Sequence, residues 1–396
     1  NARVRSPASL AVFAKRFSLS PLVKFQPRQN LIQHPGALHF ISPNEILTAG
    51  ENHSYPMNIE NQEGTYKKCT VINLSTGHEQ QAFPVPTLGN AIPWQTADKN
   101  RYLFVLVDSM RRIGIGSAVR DKKSKELVLS DRVDWISEKY NALLLVGVQL
   151  TIAVKIIVWS HFVIFVCSDE HFKYFDLSSI DLDKPIEEQE ISIQTLIPNT
   201  QAIELTCSNN CIFLLTKSEL LSIPQRRGAK TINTVIRASA KLPLPEKDDA
   251  IFYMIASSNK FTYVASKEQV LAYSARSLQL QCRHEWLPDT NTNGGYEKLV
   301  CKMRVVIFQR VELLIVAFYN QVIQVFSVGK GKILGESQGE TASSESNYHL
   351  CRILNVNEKP KLTTGRWFDI LYLPKSRELL VAGEFDVFHV AKLNYK

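Results

Sequence analysis

The chain has 396 residues, 45% hydrophobic and 21% charged, with a mean hydropathy of −0.10; this composition excludes a disordered polymer and fits a globular protein. Lys and Arg number 46 against 38 Asp and Glu, so the net charge is +8, a mild positive field that suits an acidic protein face or a phosphate backbone without separating them. Seven cysteines at irregular spacing exclude the dense disulfide framework of a small secreted module and fit buried thiols in a reducing compartment.

Near the first residues, Arg3, Arg5, Lys15 and Arg16 interrupt every apolar stretch. No secretory leader is readable there, and an intracellular protein, nuclear or cytoplasmic, is expected. Residues 10–25 then predict strand material, followed by three-strand units over 37–74 and 91–119. The second of these units and its outgoing loop carry the first basic cluster, Arg111, Arg112, Arg120, Lys122, Lys123 and Lys125, diluted by Asp121 and Glu126.

Residues 142–167 read ALLLVGVQLTIAVKIIVWSHFVIFVC and are apolar enough to suggest a membrane span. A spanning helix would place Lys155 near its centre at a cost of roughly 2.5–3.5 kcal/mol. The run is also rich in Val, Ile and Phe, which favour strands, so two or three buried strands and no membrane are expected. Weak units are read at 132–155 and 162–177, and an acidic stretch over 181–198 predicts a flexible loop insertion.

The clearest units come later, at 202–224, 251–278, 301–328 and 367–393. In the third of them MRVVIF, ELLIVAF and QVIQVFSV are separated by polar turns. Between the first two lies a second basic cluster, Arg226, Arg227 and Lys230, leading to Arg237 and Lys241. Residues 335–348 (GESQGETASSESNY) predict another flexible insertion.

The well-formed units start about 50 residues apart, the spacing of a four-stranded propeller blade. A strand buried on both faces reads as an apolar run, whereas one that meets water alternates, and ELLIVAF beside QVIQVFSV shows both. Helical periodicity and capping boxes are scarce. The expected fold is therefore all-β, a β-propeller of seven or eight four-stranded blades forming one domain over residues 1–396. Its ring is closed by strands from residues 10–25 and 367–393, so that no edge is left exposed. A pair of β-sandwiches is the competing architecture, but it carries no reason for a period near 50 residues.

These units resemble blades of the WD-repeat-like propeller superfamily from about residue 31 to residue 393. The resemblance is one of pattern: where a regular blade carries Trp-Asp, the third strands end in Tyr273-Ser274, Val325-Phe326 and Phe388-His389. Only 17 glycines argue against the glycine-rich propellers of the chromatin-condensation-regulator type.

Signals for chemistry are weak. Gly329-Lys330-Gly331-Lys332 and Gly114-Ile115-Gly116-Ser117 open no helix and read as hairpin turns, not phosphate loops. Cys207 and Cys211 flank a turn among apolar residues, which favours core thiols over zinc. Paired carboxylates at Glu187-Glu188 and Asp248-Asp249 sit in polar, proline-containing loops and read as solvated. No nucleophile elbow, HExxH or CxxC occurs, and no cofactor, metal or catalytic residue is expected.

The functional expectation is a non-catalytic scaffold or adaptor subunit that binds partner proteins through its loops. The alternative is a non-catalytic subunit that holds RNA or DNA for a partner enzyme, and a weaker third reading is an enzyme that uses the central channel. For the first two readings the candidate contacts are Arg111, Arg112, Lys122, Lys123, Arg226, Arg227 and Lys230, which suit nucleic acid or an acidic partner. Neither cluster is interleaved with the aromatics a single-strand binder uses.

Overall fold

The apolar strands and polar turns resolve into seven antiparallel sheets in a computed structural model that describes residues 3–25, 35–50, 69–82, 87–108, 113–136, 155–167, 170–181, 183–184, 189, 191–198, 200–226, 228–243, 252–286, 300–318, 322–331, 348–356, 367–383 and 388–396. One helix, α1 (Pro7–Arg16), precedes the short strands β1 (Phe17–Leu19) and β2 (Val23–Phe25). Blade 1 follows as β3 (Pro35–Ser42), β4 (Glu45–Gly50), β5 (Cys69–Asn73) and β6 (Glu79–Ala82), paired in that order. Blade 2 is β7 (Thr87–Gln95), β8 (Arg101–Asp108), β9 (Ile113–Arg120) and β10 (Leu127–Trp135). Blade 3 is β11 (Ile156–Trp159), β12 (Phe162–Val166), β13 (Phe172–Asp176) and β14 (Gln194–Ile197).

Blade 4 holds β15 (Ala202–Ser208), β16 (Cys211–Thr216), β17 (Glu219–Pro224) and β18 (Ala238–Lys241). Blade 5 holds β19 (Met254–Ser257), β20 (Phe261–Ala265), β21 (Gln269–Ser274) and β22 (Leu280–Glu285). Blade 6 is β23 (Val300–Phe308), β24 (Val311–Phe318), β25 (Ile323–Lys330) and β26 (Tyr348–Val356). Blade 7 comes from both ends of the sequence: β27 (Trp367–Leu373), β28 (Glu378–Gly383) and β29 (Phe388–Tyr395) are joined by β1 and β2, which both pair β29. The fold is an all-β, seven-bladed β-propeller. The first residues of the unit read at 132–155 belong to β10, and residues 137–154 lie outside the described residues.

The chain divides into two compact units, one of Asn1–Val23, Gln201–Val381 and His389–Lys396, the other of Lys24–Thr200 and Ala382–Phe388. In both, the second strand of a blade is the most deeply covered. Every residue of β12 (FVIFV), β16 (CIFLLT) and β24 (VELLIVAF) is buried, because blades pack against both faces of such a strand. Each fully buried Leu, Ile or Phe contributes about 1.5–3 kcal/mol over its exposed state. Within the second unit, Leu103, Val105 and Ile115 of blade 2 pack with Val163 and Phe165 of blade 3. Within the first, Leu314 and Val316 of blade 6 pack with Tyr263 and Ala265 of blade 5.

Buried polar groups add directional links between these blades. Arg304 of β23 donates to both oxygens of Asp369 of β27 at 3.1 Å, and Asp369 is almost wholly buried. Glu312 of β24 accepts from Ser258 Oγ at 2.9 Å and Tyr263 Oη at 3.0 Å, tying blade 6 to blade 5. Desolvation pushes the Glu312 carboxyl above its ordinary range despite these donors.

Four local features differ from the sequence reading. Residues 7–16 are helix, not strand: Ser6 accepts from the Ser9 N–H at 3.2 Å, Pro7 opens the first turn, and Lys15 and Arg16 occupy the last. Its Leu10 and Phe13 are fully buried among side chains of blades 6 and 7. Gly329 lies in β25, not in a hairpin turn, and a Cβ there would stand 3.1 Å from Leu10 Cδ1, so glycine is what lets the helix seat. Gly114 lies in β9, where a Cβ would meet the Trp135 ring at 2.9 Å. Finally, β14 occupies residues 194–197 of the stretch read as an acidic loop, and closes blade 3.

Residues 335–347 of the other expected insertion lie outside the described residues, whereas Tyr348 opens β26. In the apolar run 142–167 the described part forms β11 and β12. No helix among the described residues is long and apolar enough to cross a membrane.

Candidate functional site

Lys122, Lys123 and Lys125 of the first cluster and Arg226 and Lys230 of the second fall on the connections between the third and fourth strands of blades 2 and 4, one in each compact unit. In blade 2 the connection is the tight turn after β9. Asp121 Oδ1 accepts the backbone N–H groups of Lys123 at 2.8 Å and Ser124 at 2.6 Å, an Asx turn that fixes the corner. Those bonds, that of Ser124 first, hold the Asp121 carboxyl below its ordinary value. Lys122 and Lys123 are exposed.

Arg120, next to them in sequence, is not part of this surface. Its Nη1 and Nη2 reach Glu45 of β4 at 3.1 and 2.6 Å, Nη1 also donates to the Lys125 carbonyl at 2.7 Å, and the guanidinium lies 5.5 Å from the Tyr102 ring centre. Bonding to the Glu45 carboxylate raises the already high pKa of this guanidinium, so it is a charged strut between blades 1 and 2. Arg111 and Arg112 lie outside the described residues. Ile113 and Arg120 end opposite sides of β9, roughly 23 Å apart at about 3.3 Å per residue.

The blade 4 connection is longer and built differently. Gln225 is 5% exposed, and its amide clasps the backbone of Asn233: Nε2 donates to the Asn233 carbonyl at 2.8 Å and Oε1 accepts its N–H at 3.0 Å. Asn233 returns the arrangement, donating Nδ2 to the Pro224 carbonyl at 2.8 Å and accepting the Val235 N–H at 3.0 Å. Ile232, one residue before Asn233, is buried. Gly228 takes φ +72°, with open space where a Cβ would stand, so glycine here answers the backbone conformation alone.

Arg226 and Lys230 are exposed on this frame, and Arg227 lies outside the described residues. Arg237 is tethered, its Nη2 donating to the Ala275 carbonyl of blade 5 at 3.1 Å. Lys241 stands opposite Glu219 in the ladder. Beside the cations, Val235 is 68% and Ile236 40% exposed. Neither apolar residue is marked by the charge pattern. The signal available in sequence is the gap between Glu219 and Glu246, which holds five basic residues and no acidic one.

Elsewhere the groups carry less chemistry. Burial lifts the Cys207 and Cys211 thiols to about 11, the behaviour of core residues and not of activated nucleophiles or metal ligands. Among the described residues no group of three potential metal-binding side chains converges. Ser160 Oγ lies 3.2 Å from His161 Nδ1, and His161 Nε2 lies 3.9 Å from Asp176. That last distance exceeds a hydrogen bond, and the same Asp176 oxygen already accepts from Ser178 N at 2.7 Å and Ser178 Oγ at 2.6 Å, which makes it a turn cap. The carboxylate pairs Glu187-Glu188 and Asp248-Asp249 lie outside the described residues.

No protein-family profile matches this chain, and no curated protein matches its sequence. Solved structures match by shape. A chain of an S. cerevisiae complex of Dbp5 with Nup159, Gle1, IP6 and ADP aligns at a TM-score of 0.53 and 11% identity, covering 96% of this chain and 95% of that one. A chain of a structure titled as the mitotic checkpoint complex aligns at a TM-score of 0.49 and 10% identity, covering 100% of this chain and 93% of that one. At such identities the likeness is one of fold alone.

Proposed function

We propose that this chain is a non-catalytic scaffold or adaptor subunit, holding protein partners of a larger assembly on its loops. The observation that carries this reading is the blade 4 connection, where a fixed frame holds two exposed apolar side chains together with the exposed Arg226 and Lys230. Exposed β-branched residues on an ordered loop gain by being covered, and a partner protein can cover them. The S. cerevisiae chain that shares the fold comes from a structure of several proteins bound together, which agrees with such a role. An intracellular setting, nuclear or cytoplasmic, and a single cooperative domain over residues 1–396 belong to the same reading.

Affinity capture of the tagged full chain, with mass identification, tests it. A stoichiometric protein partner is the expected result, and a chain recovered alone at native levels of expression would end the scaffold reading. Nucleic acid is the rival occupant of Arg226, Arg227 and Lys230. If it is held there, log affinity for RNA or duplex DNA falls steeply with log salt, and the Arg226→Glu, Arg227→Glu double variant weakens it. Unchanged affinity in that variant removes the nucleic-acid reading.

A further inference from the structure

The geometry points to the blade 4 connection as a docking site for an extended, acidic peptide segment of a partner protein that carries apolar side chains among its carboxylates. This deepens the scaffold reading and rests on it, by naming the surface and the chemistry of what it takes.

Charge selects the sign of the ligand. From Leu220 to Pro245 the chain holds Arg226, Arg227, Lys230, Arg237 and Lys241 with no carboxylate, against a chain-wide ratio of 46 basic to 38 acidic residues. All four described cations are exposed; Arg237 also donates to the Ala275 carbonyl and Lys241 faces Glu219 in the ladder. An anion is therefore the complementary ligand.

The apolar pair selects the class. Val235 and Ile236, separated from β18 by Arg237, are 68% and 40% exposed, and no aromatic residue lies between Pro224 and Lys241 on which a base could stack. Phosphate backbones gain nothing from covering two aliphatic side chains, but a Leu, Ile or Phe of an acidic peptide does. β18 itself ends the hydrogen-bonded path β15-β16-β17-β18, so its outer backbone edge faces no strand among the described residues. An extended peptide can lay its backbone along that edge, its carboxylates toward Arg226 and Lys230 and its apolar side chains toward Val235 and Ile236.

Preorganisation supports the same conclusion. The Gln225–Asn233 hydrogen bonds and the burial of Ile232 hold the loop in one conformation before any ligand arrives. A rigid loop binds with less ordering entropy lost than a mobile one.

The test uses the full chain and fluorescein-labelled synthetic peptides read by anisotropy. The first probe alternates Glu with Leu and Phe, the second is oligoglutamate of equal charge, and the third is an oligolysine control. The first is expected to bind at least about tenfold more tightly than oligoglutamate, and both Val235→Ser with Ile236→Ser and Arg226→Glu with Lys230→Glu are expected to lose about tenfold. All four positions are exposed, so the variants should keep the wild-type circular-dichroism spectrum and melting temperature. Equal affinity for the first two probes, or wild-type binding by both variants, overturns the proposal. Tighter binding of single-stranded RNA or of anionic phosphatidylserine vesicles than of the first probe, insensitive to the Val235/Ile236 pair, also overturns it.

Affinity capture separates the two levels of the argument. If a partner copurifies equally with the wild type and with both variants, the scaffold role stands and this surface is wrong. If none copurifies with the wild type, the scaffold role itself fails.

Discussion

Blades 2 and 4 both carry exposed cations between the third and fourth strands, Lys122 and Lys123 in one and Arg226 and Lys230 in the other, yet the two connections are built in opposite ways. In blade 2 the carboxylate of Asp121 is spent on closing the turn, and Arg120 is drawn away to Glu45 and Tyr102, leaving Lys122 and Lys123 beside internal negative charge. In blade 4 the corner is fixed by neutral amides, Gln225 and Asn233, so the turn itself uses no carboxylate. A count of basic residues treats the two alike. What separates them is which side chains the fold consumes for its own turns.

The largest effect that sharpens this contrast is expected at Arg120. Arg120→Met should destabilise the chain by about 2 kcal/mol, the scale of lost hydrogen bonds to a charged group, because Glu45 is left partly buried with its main partner gone. Chemical denaturation measures it, and Arg120→Met with Glu45→Leu should recover much of the loss. A neutral single variant would return Arg120 to the exposed cluster. Next comes Gln225→Ala, expected to cost about 1 kcal/mol and to speed amide hydrogen exchange at Asn233 and Val235, since the clasp is what orders the loop.

Smaller again is Lys122→Glu with Lys123→Glu. Stability should move by less than about 0.5 kcal/mol, and affinity for the acidic, apolar peptide should stay at the wild-type level, in contrast to Arg226→Glu with Lys230→Glu. Equal losses in the two double variants would erase the distinction between the blades.

The smallest effect concerns pH. The Asp121 carboxyl titrates below its ordinary 3.8 in the folded chain because the Ser124 and Lys123 N–H groups stabilise its charged form. The contribution is therefore complete above that ordinary value and is lost as pH falls through the lowered one. Carbon-detected NMR titration of the side chain checks the direction. Asp121→Asn keeps the turn acceptor and should abolish this pH dependence while making the turn more positive.

Much of the architecture was legible in residue order. β16, β24 and β28 read as continuous apolar runs because blades cover both of their faces, and the recurrence of such runs near 50 residues implied blades. The Ser6-Pro7 start of α1 was present in the sequence too, but one short helix among many strands leaves little periodicity to detect. The glycines at 114 and 329 could not be placed from sequence, since what demands them is a Trp135 ring and a Leu10 methyl brought in by other segments. The candidate site was half legible: its cations were visible, while Val235 and Ile236 looked like any other strand residues.

Sequence by itself determined the all-β class, the blade repeat and the sign of the charge, because burial periodicity and composition are local properties of the order of residues. Tertiary structure alone decided that Arg120 is a strut and that Val235 and Ile236 stay in water. Whether a side chain is consumed or displayed depends on which distant group reaches it, and Glu45 is 75 positions from Arg120.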